Sequence, residues 1–411
     1  MLPVLGTFLM RKSTSGNAVS FLLITVFLDS IGIGILIPVI PELIRQLAGV
    51  GISKAAVIGG LITALFAGIQ FLTSPILGSL SDAVGRRPVI LLSLLAFGLN
   101  YILMGLAPSL MWLFLAQALA GLFGATHSAA AAYISDITEP HKRAGPYGML
   151  GAAFGLGFMV GPVLSALVSD WGTRVPFFTA AALALANVVY GYFVLPETLS
   201  REQRRPFVLS RSSPWGVVRQ LHHYPGVTAC LIATLLMQFG LQSVTVTWPY
   251  FTMFQFDWTA REIGYSLGLY GVVNIIAQGL ILKRLAERFG DAGATLCGLG
   301  LMMTGLLGFA LSGNPLVCVL FIIPSAMAFM TQGALRSLMS RQLPSNQQGA
   351  LQGAIISVNS FASIITPIMM PWLFSAFTSG RAGVIFAGAP FVLGALFAAV
   401  SAMILLPYRR A

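Results

Sequence analysis

"SFLLITVFLDSIGIGILIPVIPEL" (residues 20–43) decides how this chain is read. Nine apolar or hydroxyl residues lead to one carboxylate, Asp29, and no further charge follows until Glu42. A helix needs about 20 mostly apolar residues to cross the hydrocarbon core of a bilayer, and this stretch supplies them. A carboxylate near its centre costs roughly 2.5–3.5 kcal/mol on insertion scales, so Asp29 demands a reason.

The rest of the chain repeats the pattern. Of 411 residues, 57% are hydrophobic and only 9% charged, with 44 glycines. Soluble domains carry about 25% charge, which excludes that class. Twelve apolar runs reach spanning length, at 20–42, 57–77, 88–107, 111–133, 147–169, 176–195, 227–250, 263–282, 292–312, 315–335, 348–376 and 383–407. The expected fold is an all-α integral membrane protein with twelve transmembrane helices. "MLPVLGTFLMRKSTSG" has too short an apolar start to span, and no small-residue cleavage signal follows it. It reads as the beginning of a retained first helix rather than a signal peptide. Cys230, Cys297 and Cys318 lie in apolar stretches as small hydrophobes, with no disulfide or metal pattern among them.

A net charge of +11 raises the question of nucleic acid, and its distribution answers it. With both termini in the cytoplasm, eighteen of the 23 Lys and Arg face that side and five (residues 45, 54, 174, 261 and 381) face the other. This is the positive-inside asymmetry of a membrane protein, so no nucleic-acid partner is expected. Membrane lipid is the surrounding medium.

The longest polar segment, residues 196–226, holds five Arg and separates six spans from six. The expected organisation is an N-terminal six-helix bundle (1–195), a cytoplasmic linker (196–226) and a C-terminal six-helix bundle (227–411). A faint repeat links the halves. "GSLSDAVGRR" (78–87) follows the second span and "KRLAERFGDA" (283–292) follows the eighth, 205 residues later. Asp82 recurs as Glu287, and Gly85 as Gly290. Paired six-helix halves are a common transporter plan.

The first copy, with Gly78, Asp82, Gly85, Arg86 and Arg87, reads as a cytoplasmic gate motif. Asp82 is placed to accept from backbone N–H groups opening the third span and to pair with Arg86 or Arg87. Gly85 permits a tight reversal. Charge-assisted bonds that form in one arrangement and break in another latch one state of a rocking protein. The fifth span, "LGAAFGLGFMVGPVLSA" (150–166), has glycines spaced by four that allow close helix approach. Gly157, Gly161 and Pro162 serve either that packing or a flexing gate.

These segments resemble the major facilitator superfamily. "GSLSDAVGRRP" is similar to its loop 2–3 motif, with Ala83 where a basic residue is usual, and "GLGFMVGP" to the helix 5 motif of its antiporters. "LPET" (195–198) closes the sixth span in the same style. More narrowly, "LDSIGIGILIPVIPEL", "GLFGATHSAAAAYISD" and "QQGALQG" (347–353) resemble the tetracycline-efflux branch of drug–proton antiporters along nearly the whole chain. The resemblance implies the major facilitator fold, outward transport by alternating access, a bacterial cytoplasmic (inner) membrane location and no enzymatic activity. It also marks departures: Asn100 stands where the pattern has an acid, Gln117 where an arginine is usual, Asn274 where a histidine is, and Met302 where another acid is. Amides keep size and hydrogen bonding but lose charge and titration.

Polar side chains inside spans must find partners or serve a purpose. Asp29 is the acid that remains well inside a span, and withdrawal from water favours the neutral form of any carboxyl. His127, the one histidine in a span, is a natural proton carrier. The resemblance places the first and fourth helices beside each other, so Asp29 and His127 are the expected proton-coupling pair. The expected substrate cavity is lined by Gln238, Gln242, Asn100, Gln117, Asn274, Gln278 and Gln332. Gln70 and Asn359 join them as possible lining, and for every amide except the Gln238–Gln242 pair an interhelical hydrogen bond is the stronger reading. Phe66, Tyr101, Trp248 and Tyr250 read as aromatic walls or as anchors at the membrane interface.

The expected function is secondary active transport: proton-coupled efflux of a small uncharged or amphipathic organic compound. The alternative is a proton-independent facilitator or metabolite carrier of the same fold. No metal-spaced His/Glu set, phosphate loop or Ser–His–acid group lies in the spans, so neither cofactor nor metal is expected. The partners are a small-molecule substrate and protons, and the chain is expected to act as a monomer.

Overall fold

The computed structural model describes residues 2–139, 142–199, 202, 204, 225–344 and 347–410, without side chains for 2–17, 144, 225 and 409–410. Most of the expected linker therefore lies outside the described residues. All regular structure among them is helical: α1 (Leu2–Leu36), α2 (Ile40–Ala48), α3 (Ile52–Val84), α4 (Arg86–Leu106), α5 (Leu110–Phe123), α6 (Thr126–Ile137), α7 (Ala144–Val168), α8 (Val175–Val194), α9 (Pro225–Phe256), α10 (Ala260–Ile276), α11 (Leu282–Leu311), α12 (Pro315–Leu320), α13 (Ile322–Met327), α14 (Met330–Arg341), α15 (Gln348–Thr378) and α16 (Ala389–Leu405).

Eleven helical stretches are long and apolar enough to cross a bilayer, one fewer than the sequence reading has. The difference lies in one run, Ala260–Leu311, whose 52 residues are more than twice the requirement. It is not one straight rod. A short π-helical stretch, Ala277–Ile281, interrupts it, and Gly290 leaves helical geometry at φ 70, ψ 174. Gly290 and Gly85 (φ 115) both adopt the positive φ that a glycine tolerates best, so the repeat seen in sequence is also a repeat in backbone.

Three spans differ from their expected outlines. The first stops at Leu36, not residue 42, because Pro38 has no N–H and disfavours helical geometry at Ile37. A turn closed by Ile37 N–H to Gly34 O (3.3 Å) and Val39 N–H to Leu36 O (3.2 Å) then leads into α2. The fourth breaks into α5 and α6 at Gly124 and Ala125. Side chains of α3 cover carbonyls at the break: Thr73 Oγ1 donates to Gly121 O (2.9 Å) and Gln70 Nε2 to Gly124 O (2.9 Å). Irregular backbone at membrane depth needs such internal partners. The tenth is split into α12, α13 and α14, with Pro324 inside the middle piece.

Two compact units form: residues Met1–Val39 with Gly68–Ser212, and Ile40–Ala67 with Ser213–Ala411. The helix α3 passes from the second to the first at Gly68. In the first unit α1 lies hard against α7. A Cβ on Gly161 would stand 2.6 Å from Ile31 O and 2.7 Å from Gly34 Cα, and one on Gly34 would stand 2.9 Å from Pro162 Cδ. Gly157 meets Phe27 O and Ser30 in the same way. Close backbone approach through small residues is how helices pack where lipid is as apolar as leucine. In the second unit an aromatic core gathers on Trp248, with Phe309 at 4.7 Å and with Phe251 and Phe391 4.9 Å apart. Trp248 Nε1 donates to Ser266 Oγ (2.9 Å). Tyr101, Trp248 and Tyr250 are buried within their units, which corrects the reading of them as interface anchors.

Gly161→Leu is expected to abolish the α1–α7 approach, lowering folded yield and melting temperature in detergent. Gly151→Ala, at a position with nothing within 4 Å, is expected to leave both unchanged. Thermal melts by size-exclusion fluorescence compare the two, and equal tolerance would contradict the packing role.

Candidate functional site

Asp29 is 7% exposed, seven residues before the end of α1. The hydroxyl that faces its carboxylate belongs to Thr126, the first residue of α6. The break in the fourth span therefore brings a helix N-terminus, with its positive partial charge, to the acid. Tyr101 of α4 closes another side. Its ring lies over Gly32, where a Cβ would stand 3.0 Å from Tyr101 Cε2. Asp29 Oδ1, Thr126 Oγ1 and the Tyr101 hydroxyl are all buried and make no hydrogen bond of good geometry among the described residues. Polar atoms left without such a bond at this depth are costly to the fold.

His127 does not join this group. Successive helix residues point about 100° apart, and the turn that aims Thr126 at Asp29 aims His127 elsewhere. It is exposed, and its ring meets Phe154 of α7 edge-on at 5.5 Å. The sequence singled out the imidazole; the hydroxyl beside it and Tyr101 are what the fold brings to the acid.

The expected cavity amides fall into separate groups. Two rungs join α9 to α15: Gln238 Nε2 to Asn359 Oδ1 (3.0 Å) and Gln242 Nε2 to Ser363 Oγ (3.3 Å). Gln332 lines a cleft with Gln238, Thr234, Asn359 and Arg336. Asn274 and Gln278 bond to each other along one helix face (2.6 Å), at the π-helical stretch. In the first unit Gln117 Nε2 reaches only Met104 Sδ (3.7 Å), and Asn100 is buried with Oδ1 unpartnered. Met302 is packed in the core against Gly240.

The gate motif is a charge cluster built on Arg86. Its Nη1 pairs with Asp82 Oδ1 at 2.6 Å and its Nε with Asp136 Oδ2, at the end of α6, at 2.8 Å. Asp82 does not cap α4. That task falls to Glu197 of "LPET", whose oxygens accept from the N–H groups of Arg86 (2.9 Å) and Arg87 (3.3 Å). Glu197 also sits where a Cβ on Gly85 would be, so the glycine is required by contact as well as by its φ. Arg87 bonds the Tyr192 carbonyl and stacks over that ring at 5.3 Å. Gly78 has nothing within 4 Å of a Cβ and takes no part in this contact.

In the second unit Asp291 Oδ2 meets Arg341 Nε at 3.0 Å and accepts from Ser337 Oγ at 2.7 Å. Residues 291 and 341 lie 205 positions after 86 and 136, so the ion pair recurs with its charges exchanged. Glu287, the residue matched to Asp82, makes only a loose exposed pair with Lys283 (3.9 Å).

The described residues form a multi-pass helical membrane protein, and its relatives place it among the membrane transporters rather than the enzymes. The chain belongs to the major facilitator superfamily, whose family model matches residues 22–367 and 230–410. The tetracycline resistance protein of class C from Escherichia coli is 35% identical over 367 residues, covering 89% of this chain and 91% of that one. Multidrug resistance protein 2 of Bacillus subtilis (strain 168) is 28% identical over 393 residues, covering 90% and 94%. Among solved structures, the human organic anion transporter MFSD10 (TETRAN) shares the fold at TM-score 0.72 and 20% identity over 95% of this chain and 99% of that one. The nucleoside transporter NupG does so at TM-score 0.76 and 14% identity over 95% and 98%.

The Arg86 cluster sets a stability order. Asp136 and Arg86 have side chains 19% and 9% exposed, whereas Asp82 is 43% exposed. Asp136→Asn is expected to cost about 3 kcal/mol by leaving a buried guanidinium short of its partner. Asp82→Asn is expected to cost about 1 kcal/mol or less, as an exposed pair does. Melting temperatures of the two variants check the order.

Proposed function

We propose that the chain is a proton-coupled exporter of small uncharged or amphipathic organic compounds, working by alternating access. We place it in the bacterial cytoplasmic membrane with both termini in the cytoplasm, the Ala260–Leu311 run crossing twice to give twelve spans. The observation that carries the reading is the Asp29 carboxylate, buried and unpartnered at Oδ1 beside the unpartnered hydroxyls of Thr126 and Tyr101. Relatives that carry tetracycline and multidrug resistance support outward transport of organic compounds.

The chemistry follows from what a proton changes. An ionised Asp29 only accepts hydrogen bonds, so Thr126 and Tyr101 serve it as donors; a protonated Asp29 donates one, and a hydroxyl must turn to accept. Each protonation state thus prefers a different arrangement of α1, α4 and α6. The tight α1–α7 contact makes any shift of α1 a shift of the pair. A ligand that binds one arrangement better biases the equilibrium by the difference, and the proton does the same from its own site.

Asp29→Asn keeps the size and removes the titration. Uptake driven by a pH gradient into inside-out vesicles is expected to vanish in this variant, while counterflow without a gradient persists. Undiminished proton-driven flux would overturn the coupling.

A further inference from the structure

Arg336 lies within α14, five residues before its end, in the stretch Pro315–Arg341 that is apolar enough to span. By sequence it is one more cytoplasmic positive charge. The structure separates it from that role. Arg341, at the helix end, has its counter-ion in Asp291, but Arg336 has no hydrogen bond or ion pair among the described residues. It lines a narrow cleft of the second unit with Thr234 and Gln238 of α9, Gln332 of its own helix and Asn359 of α15. As it stands the cleft has room for about one water. Its apolar walls are Met237, Leu335, Met339 and Ile355.

A guanidinium is always charged and offers five donors in a planar fork matched to a carboxylate or another oxyanion. One that is exposed, without a counter-ion among the described residues and set beside amides in a candidate span has the chemistry of an anion-binding group. Gln238 and Asn359 already bond each other, which fixes their positions beside it. The internal repeat gives independent support. The 205-residue step that relates the two ion pairs also carries Asp29 to Thr234, which lines this cleft. The cleft therefore lies at the second unit's counterpart of the Asp29 position, with a neutral hydroxyl in place of the acid and Arg336 beside it.

We propose that this cleft is an anion-accepting subsite, in which Arg336 pairs with a carboxylate, enolate or similar oxyanion on the transported compound while the apolar walls take its hydrocarbon part. The inference rests on the transporter reading and narrows its substrate class from uncharged or amphipathic to amphipathic organic anions.

The test is equilibrium binding to the full-length purified protein in nanodiscs, by calorimetry, with 2-naphthoate and its neutral amide as matched probes. The wild type is expected to bind naphthoate about tenfold or more tightly than the amide, the scale of a charge-assisted hydrogen bond. Arg336→Gln is expected to remove that preference with the amide affinity unchanged, and Arg336→Lys to keep most of it. Gln332→Glu, which sets a carboxylate in the same cleft, is expected to remove it too and serves if Arg336→Gln does not fold. The proposal is overturned if the wild type binds the two probes alike or binds neither. It is also overturned if Arg336→Gln weakens both equally, or if naphthoate binding survives it. No gradient enters these measurements, so their failure is separate from a failure of proton coupling at Asp29.

Discussion

A polar group inside hydrocarbon has no water to fall back on, and this one constraint sorts the interior of the chain. Most polar side chains there repair backbone or join helices. Gln70 and Thr73 cover the carbonyls at the break before α6, Asn187 Nδ2 donates to Thr25 O at 2.8 Å, and Gln238 meets Asn359. Against that background some buried polar atoms keep no partner among the described residues, Asp29 Oδ1 with Thr126 Oγ1 and the Tyr101 hydroxyl among them, and Arg336 of the second unit has no counter-ion there.

The repeat shows what each half conserves in architecture and what it changes in chemistry. Both halves turn through a positive-φ glycine, Gly85 and Gly290, and both tie the turn by an ion pair to the end of the span that follows the one it opens. The contact needs opposite charges but is indifferent to their order, because a Coulomb energy depends on the product of the two. Arg86–Asp136 and Asp291–Arg341 are the two orders of one design. The first copy adds the Glu197 cap, which satisfies N–H groups opening α4 and has a reach no local sequence signal carries.

Much of the fold was legible because hydropathy in a bilayer chain is a direct physical constraint on length. The positions of the spans, the repeat and the buried acid all follow from it. What was not legible turns on angles and distant partners. A glycine such as Gly124 inside a membrane helix can pack or break it, and only the carbonyl acceptors of Gln70 and Thr73 decide which. His127 outranked Thr126 on chemistry, yet one residue is about 100° of helix and reverses the choice. Arg336 was hidden by its neighbours: among eighteen cytoplasmic cations it had nothing to mark it until the helix was seen to carry it into a cleft.

The departures from the antiporter pattern then acquire a common logic. Asn100 and Met302 fill buried positions with neutral atoms, and among the described residues Asp29 in the first unit and Arg336 in the second are spanning-segment charges without a counter-ion. Each is costly to hold in a membrane while alone. On the proposed function a proton neutralises the first and an oxyanion the second, so each loading event would remove a desolvation penalty from its own unit. Loading is then favoured by the same low dielectric that makes the empty sites expensive. On that proposal few intramembrane charges suffice, because Asp29 and Arg336 are of opposite sign and each is relieved by a different cargo.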